Sequence, residues 1–135
     1  MEDLKKLATS VLQSQPFSVL LAVELVSIEP GKAVLAVPLK DEYKQQHGFA
    51  HGGIISYLAD NSLTFAGGSM LDGNAVTSEF KINYLRPALG ERLIARARAV
   101  NAGKQQAVCQ CEIFCVSTDG EKLCAVAQGT IVRVE

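Results

Sequence analysis

The sequence predicts an α+β fold in which a mostly antiparallel β-sheet wraps around one long central helix, with a further helix at the N-terminus. Three observations predict it. Four β-rich segments follow one another through short turns after residue 67, an order that favours antiparallel pairing. Residues 53–66 are apolar nearly all round (Ile54, Ile55, Tyr57, Leu58, Ala59, Leu63, Phe65, Ala66), and a helix of that kind is normally buried. Two strand segments carry small residues on one face, Ala95, Ala97 and Ala99 in one and Ala125, Ala127 and Gly129 in the other. Small residues facing one way let a helix lie close against a curved sheet.

The elements follow in order. Leu4, Leu7, Ala8, Val11 and Leu12 keep the i, i+3, i+4 spacing of an amphipathic helix, and Pro16 lies beyond its end. Residues 19–29 and 32–39 are β-rich runs around Pro30–Gly31 and read as a hairpin. A polar stretch, KDEYKQQHGFA, leads into the central helix, which runs from about Gly53 to Gly67 with Gly67–Gly68 as its stop. Four more strands fit 75–85, 91–101, 105–117 and 122–134, with turns at Pro87/Gly90, Gly103 and Asp119–Gly120. The order is α-β-β-α-β-β-β-β, with no internal repeat.

A chain of 135 residues is expected to form a single domain, 1–135, around a continuous core. Its hydrophobic content of 48% is high, which suggests apolar surface buried between subunits. No apolar run reaches the roughly 18–20 residues of a membrane span, and the opening MEDLKKLATSVLQSQ is amphipathic rather than a signal peptide. No membrane partner is expected. A net charge of −1 without a basic run gives no electrostatic basis for nucleic-acid binding. The cysteines form no C-x-x-C pair, and a reducing, cytoplasmic compartment is expected. By strand alternation Cys109, Cys111 and Cys115 share a face with Ala107 and Ile113 and act as small hydrophobes.

The chemistry concentrates in HGFAHGGIISYLAD, residues 47–60. Both histidines, His47 and His51, lie there, but no third ligand is spaced for zinc, and no metal or other cofactor is expected. Ser56, Asp60 and Thr64 form a narrow polar stripe on the apolar helix. A carboxylate in the middle of a buried helix is costly unless paired, hydrogen-bonded or used. Asn61 beside it reads as a solvated or interface residue. Gly52 and Gly53 expose backbone N–H groups at the positive end of the helix dipole, where they could stabilise charge developing on a carbonyl oxygen. Gly52 and Asp60 stand eight residues apart, roughly 12 Å along a helix at ~1.5 Å per residue. If both act on one substrate they come from different subunits, so the reading requires a homodimer with composite sites.

HGG–x6–D on an apolar helix, followed by NYLRPA at residues 83–88, resembles the hotdog-fold acyl-CoA thioesterases. The likeness is to the phenylacetate-degradation (PaaI-like) branch, of 4-hydroxybenzoyl-CoA thioesterase type. The resemblance covers nearly the whole chain. It implies a hotdog fold, a dimer that often pairs into a homotetramer, and hydrolysis of an acyl-CoA thioester to free acid and CoA without a metal. Carried over by position, Asp60 is the nucleophile or the general base toward water, and Gly52 supplies the amide that polarises the carbonyl. Gln45, six before His51, is a polar side chain near that carbonyl, with neighbouring Gln46 as the alternative register. His51 orients or hydrogen-bonds, and Thr64 holds the carboxylate or the attacking water. Gly53, Arg86 and Lys104 are the candidates to bind substrate and the CoA phosphates, whereas Lys81 reads as a solvated charge. Arg92, Arg96 and Arg98 alternate on a strand face and suit salt bridges or a subunit contact.

A thioester has a good leaving group, so a Ser-His-Asp set is not required, and none is visible. HGG–x6–D does not match the His–acid spacing of hotdog dehydratases. The alternative from another class is a non-catalytic acyl-CoA-binding hotdog protein. Aryl, short aliphatic and long-chain acyl groups all fit the motif.

Overall fold

Alternation along the chain builds one sheet, and the apolar stretch that cannot alternate becomes the helix inside it. The structure, a computed structural model, describes residues 2–134. Helices α1 (Glu2–Gln13) and α2 (Pro16–Leu21) precede strands β1 (Glu24–Glu29) and β2 (Lys32–Pro38). A 3₁₀ turn at Asp41–Tyr43 leads to the central helix α3 (Gly52–Gly68). Strands β3 (Asn74–Tyr84), β4 (Arg92–Ala102), β5 (Gln106–Ser117) and β6 (Gly120–Val134) follow. The six strands are antiparallel in the order β1-β2-β4-β5-β6-β3, which leaves β1 and β3 as the edges.

The small inward residues let α3 sit against the sheet. Ala97, Cys111 and Ala127 pair across β4, β5 and β6, and all three are buried. Near the end of α3 a Cβ added at Gly67 would lie 2.9 Å from Ile131 Cβ and 3.0 Å from Cys109 Sγ. Only glycine permits that approach without displacing the sheet. The four cysteines are free and buried. Burial pushes the Cys109 and Cys111 thiols up to about 11 and Cys124 to about 12, so they stay protonated. Arg96 holds Glu121 through two bonds of 2.9 Å, and Arg98 donates to Gln110 at 2.7 Å. Among the described residues no helix is long and apolar enough to cross a membrane.

One expectation for the N-terminal region fails. Residues 19–21 are not strand but the end of α2, and β1 begins only at Glu24. Pro16 lies beyond the end of α1, as expected, and it also opens the second helix, where its fixed φ and missing N–H suit the first turn. Ala22 closes α2 in the left-handed region at φ 62°. Ser18 and Leu21, three apart, are buried while Phe17, Val19 and Leu20 face outward, a helical pattern too short to register as a period.

Candidate active site

The start of α3 is shaped by its cap. His51 has extended backbone (φ −64°, ψ 139°), and its Nδ1 accepts the Gly53 N–H at 2.8 Å. An accepting Nδ1 carries no proton, so in this cap the ring hydrogen sits on Nε2. The cap consumes the Gly53 amide. The Gly52 N–H, in the first helical position, has no acceptor among the described residues. Of the two glycine amides, Gly52 is therefore the one left for a ligand, at the positive end of the helix dipole. Tyr84, the last residue of β3, reaches the same end, its hydroxyl donating to the Gly52 carbonyl at 3.1 Å and touching Ser56 Oγ.

Asp60 sits two turns along the same helix and is half-buried. Its Oδ1 accepts from Thr77 Oγ1 of β3 at 2.6 Å. Thr64 does not bond the carboxylate itself. Its hydroxyl lies 2.8 Å from the Asp60 main-chain oxygen and 2.8 Å from Thr77 Oγ1. Each hydroxyl has one proton: that of Thr77 goes to the carboxylate, and that of Thr64 is shared between the Asp60 main-chain oxygen and Thr77 Oγ1. Thr64 thus acts one step back, by supporting Thr77. Asp60 lines an open groove of about 470 Å³ with Gly53, Ser56 and Tyr57 of α3, Gln15, Phe17 and Ser18 around α2, and Phe80 of β3. A larger groove of about 660 Å³ crosses the outer face of the sheet over Arg96, Arg98 and Gln128 and includes none of these residues.

Behind the groove lies a polar network that corrects the reading of Asn61. Asn61 is buried rather than solvated, and its Nδ2 donates to Tyr57 Oη at 2.9 Å and Gln15 Oε1 at 3.1 Å. Ser18 Oγ also donates to Gln15 Oε1, so in the Ser18–Tyr57 contact the tyrosine is the donor. The bonds run Asn61 to Tyr57 to Ser18 to Gln15 and tie α2 to α3. Burial raises the Tyr57 hydroxyl above its ordinary range, which keeps it a donor. Phe17 packs edge-on to Tyr57, with centroids 5.3 Å apart.

The remaining sequence candidates are not brought together in one chain. Gln45 turns its Oε1 onto the His47 N–H, and Gln46 meets the His47 ring at 3.5 Å, so both glutamines are engaged in their own loop. Arg86 is exposed two residues past Tyr84, at the Gly52 end. Lys104 is exposed in the turn between β4 and β5, at the opposite end, where Gly67 of α3 packs on Cys109 and Ile131. Among the described residues no three His, Cys, Asp or Glu side chains gather as a metal site.

Thr77 and Tyr84 escaped the sequence reading. The available signal was alternation along β3, but a register shift between Thr77 and Glu79 breaks it: Ala75, Thr77, Phe80 and Ile82 are the half-buried residues.

The sequence pattern of the thioesterase superfamily matches residues 47–122, from the first histidine through β5 and into β6. The chain belongs to the thioesterase superfamily. Its fold is the hotdog: the thioesterase resembles a thioesterase family protein from Silicibacter pomeroyi, with a TM-score of 0.92 at 29% identity over 96% of each chain. It is also 30% identical over 115 residues to the acyl-coenzyme A thioesterase PaaI of Escherichia coli, covering 84% of this chain and 79% of that one. A human relative, acyl-coenzyme A thioesterase 13, is 30% identical over 106 residues, covering 76% of each. The N-terminal helices, which lie outside the matched pattern, contribute Gln15, Phe17 and Ser18 to this thioesterase's groove.

Proposed function

We propose that this thioesterase hydrolyses an acyl-CoA or aryl-CoA thioester to the free acid and CoA, at a site shared by two chains. The observation that carries the proposal is the bond from Thr77 to Asp60 Oδ1, which fixes the carboxylate beside the groove and leaves Oδ2 to accept a proton. Asp60 takes a proton from a water molecule as the water oxygen attacks the thioester carbonyl. The carbonyl oxygen becomes an oxyanion facing the Gly52 N–H of the partner chain, and the His51 cap keeps that helix start ordered. Collapse breaks the C–S bond; the proton held by Asp60 passes to the departing thiolate, and acid and CoA leave. Direct attack by Asp60 is the alternative course for the same geometry.

The need for two chains follows from distance and from the free edge of β3. Gly52 and Asp60 belong to one helix and stand roughly 12 Å apart along it. β3 has eleven residues and, among the described residues, no neighbour on its outer side, an edge that proteins ordinarily cover. Antiparallel pairing of β3 with its copy, centred between Phe80 and Lys81, sets Thr77 opposite the partner's Tyr84. That register brings Asp60, bonded to Thr77, alongside the partner's Gly52, bonded to its tyrosine. Arg86, at the Gly52 end, is the chain's own candidate for a CoA phosphate; Lys104 serves only if assembly carries it there.

The test is release of free thiol from aryl, short-chain and long-chain acyl-CoAs. Turnover of at least one class is expected, with Asp60→Ala lowering kcat by about a thousandfold. Thiol release unchanged in Asp60→Ala contradicts the role given to Asp60, and binding without turnover supports the non-catalytic reading.

A further inference from the structure

Tyr84 ties the end of β3 to the start of α3 in a way the motif does not announce. Its hydroxyl donates to the Gly52 carbonyl at 3.1 Å. Having one proton, it must accept from Ser56 Oγ in their mutual contact. Ser56 is therefore committed to Tyr84, and its lone pairs are what it offers the Asp60 groove. The ring also lies on the glycine itself: a Cβ at residue 52 would stand 3.2 Å from Tyr84 Oη and 3.3 Å from Cζ. The first turn of α3 is thus held on two sides, by the His51 cap on the Gly53 amide and by Tyr84 on the Gly52 carbonyl.

We propose that Tyr84 is a positioning residue that fixes the direction of the Gly52 N–H toward the thioester carbonyl; the proposal rests on the reading of Gly52 as the polarising amide. Helix ends fray, and glycine adds freedom at the one position whose amide is uncommitted. A hydrogen bond to the Gly52 carbonyl, together with a ring against its α-carbon, removes that freedom. The donor then meets the developing oxyanion already aligned, which is where electrostatic stabilisation acts most strongly. Tyr84 sits seven residues beyond Thr77 on β3, so one strand orients both the base and the amide that serve neighbouring sites. Small misalignments at such a donor cost rate rather than affinity. Tyr84 is 51% exposed, so losing its hydroxyl leaves the core intact.

The experiment pairs Tyr84→Phe with infrared spectroscopy. Asp60→Asn serves as the background in which substrate persists. The probe is phenylacetyl-CoA or octanoyl-CoA labelled with ¹³C at the carbonyl, whichever the wild-type protein turns over faster. In Asp60→Asn the bound carbonyl band is expected to shift to lower frequency than in solution, and adding Tyr84→Phe is expected to return it part of the way. In the otherwise wild-type protein Tyr84→Phe is expected to lower kcat about tenfold with KM within about twofold. A band that shifts in Asp60→Asn and does not move on adding Tyr84→Phe overturns the role of Tyr84 and leaves the function standing. A band that never shifts overturns the polarising role of Gly52 and this proposal with it. Loss seen only in KM, with the band unmoved, marks Tyr84 as a binding residue and likewise overturns the proposal.

Discussion

The Thr77 hydroxyl donates to Oδ1 of Asp60 across 2.6 Å and joins an edge strand to the middle of the buried helix. A carboxylate at this depth needs a partner, and among the described residues no cation bonds it; the partner is a neutral hydroxyl. Hydrogen bonds to charged groups are worth about 1.5–3 kcal/mol, or roughly 10–100-fold in an equilibrium. Thr77→Val should therefore lower kcat by at least about tenfold, while Thr77→Ser retains most activity. Steady-state kinetics on both variants, with circular dichroism to verify folding, checks this.

In the proposed mechanism one carboxylate oxygen is held by Thr77 and the other takes a proton from water. A single turnover in H₂¹⁸O with enzyme in excess should put ¹⁸O into the acid product at once. Direct attack by Asp60 would instead deliver an unlabelled oxygen from the side chain in the first turnover. Mass spectrometry of the released acid separates the two.

The buried thiols predict a pH effect of definite sign. Cys109 and Cys111 are raised to about 11 and Cys124 to about 12, so the folded state favours the neutral form. That contribution is complete below the unfolded thiol range near pH 8.5 and is lost as pH climbs through the folded values. The urea midpoint should fall steadily above about pH 9. Native protein should resist iodoacetamide at about pH 8, whereas unfolded protein takes up label at all four cysteines.

Asn61 anchors the network behind the groove. Asn61→Ala leaves the Tyr57 hydroxyl without its donor and takes one of two donors from Gln15 Oε1 in a largely buried setting, and should cost about 1–3 kcal/mol in urea unfolding. Because Gln15 and Ser18 line the groove, a shift in acyl-group preference should accompany the loss of stability.

Much of the architecture was legible because it follows from two periods. Alternating Ala95–Ala97 and Ala125–Ala127 betray a face crowded by a helix, and the apolar run from Ile54 to Ala66 leaves no solvent face for that helix. Asp60 stood out because a lone carboxylate in such a run demands a reason. What could not be read depended on contacts between distant segments. α2 is six residues rich in Val and Leu, too short to show a helical period. Asn61 looks polar and free until Gln15 and Ser18 arrive from α2. Thr77 lies 17 residues from Asp60, and its inward orientation is hidden by the irregular register at Ser78. His51 as an N-cap was also invisible, since histidine is not among the preferred capping residues.

The central claim is that Gly52 of one chain and Asp60 of another make one site, and subunit mixing tests it most directly. Asp60→Ala removes the carboxylate. Gly52→Pro removes the amide proton at a first-turn position, after a His51 whose backbone is already extended, and its Cβ requires the Tyr84 side chain to give by a few tenths of an ångström. Each variant alone should be inactive. Unfolded together in equal amounts and refolded, half of the dimers are mixed, and each mixed dimer holds one intact site of two. Recovered activity should approach roughly a quarter of the wild-type value. Activity that stays at the level of the separate variants, with mixed dimers present by native mass spectrometry, would contradict a site shared between chains.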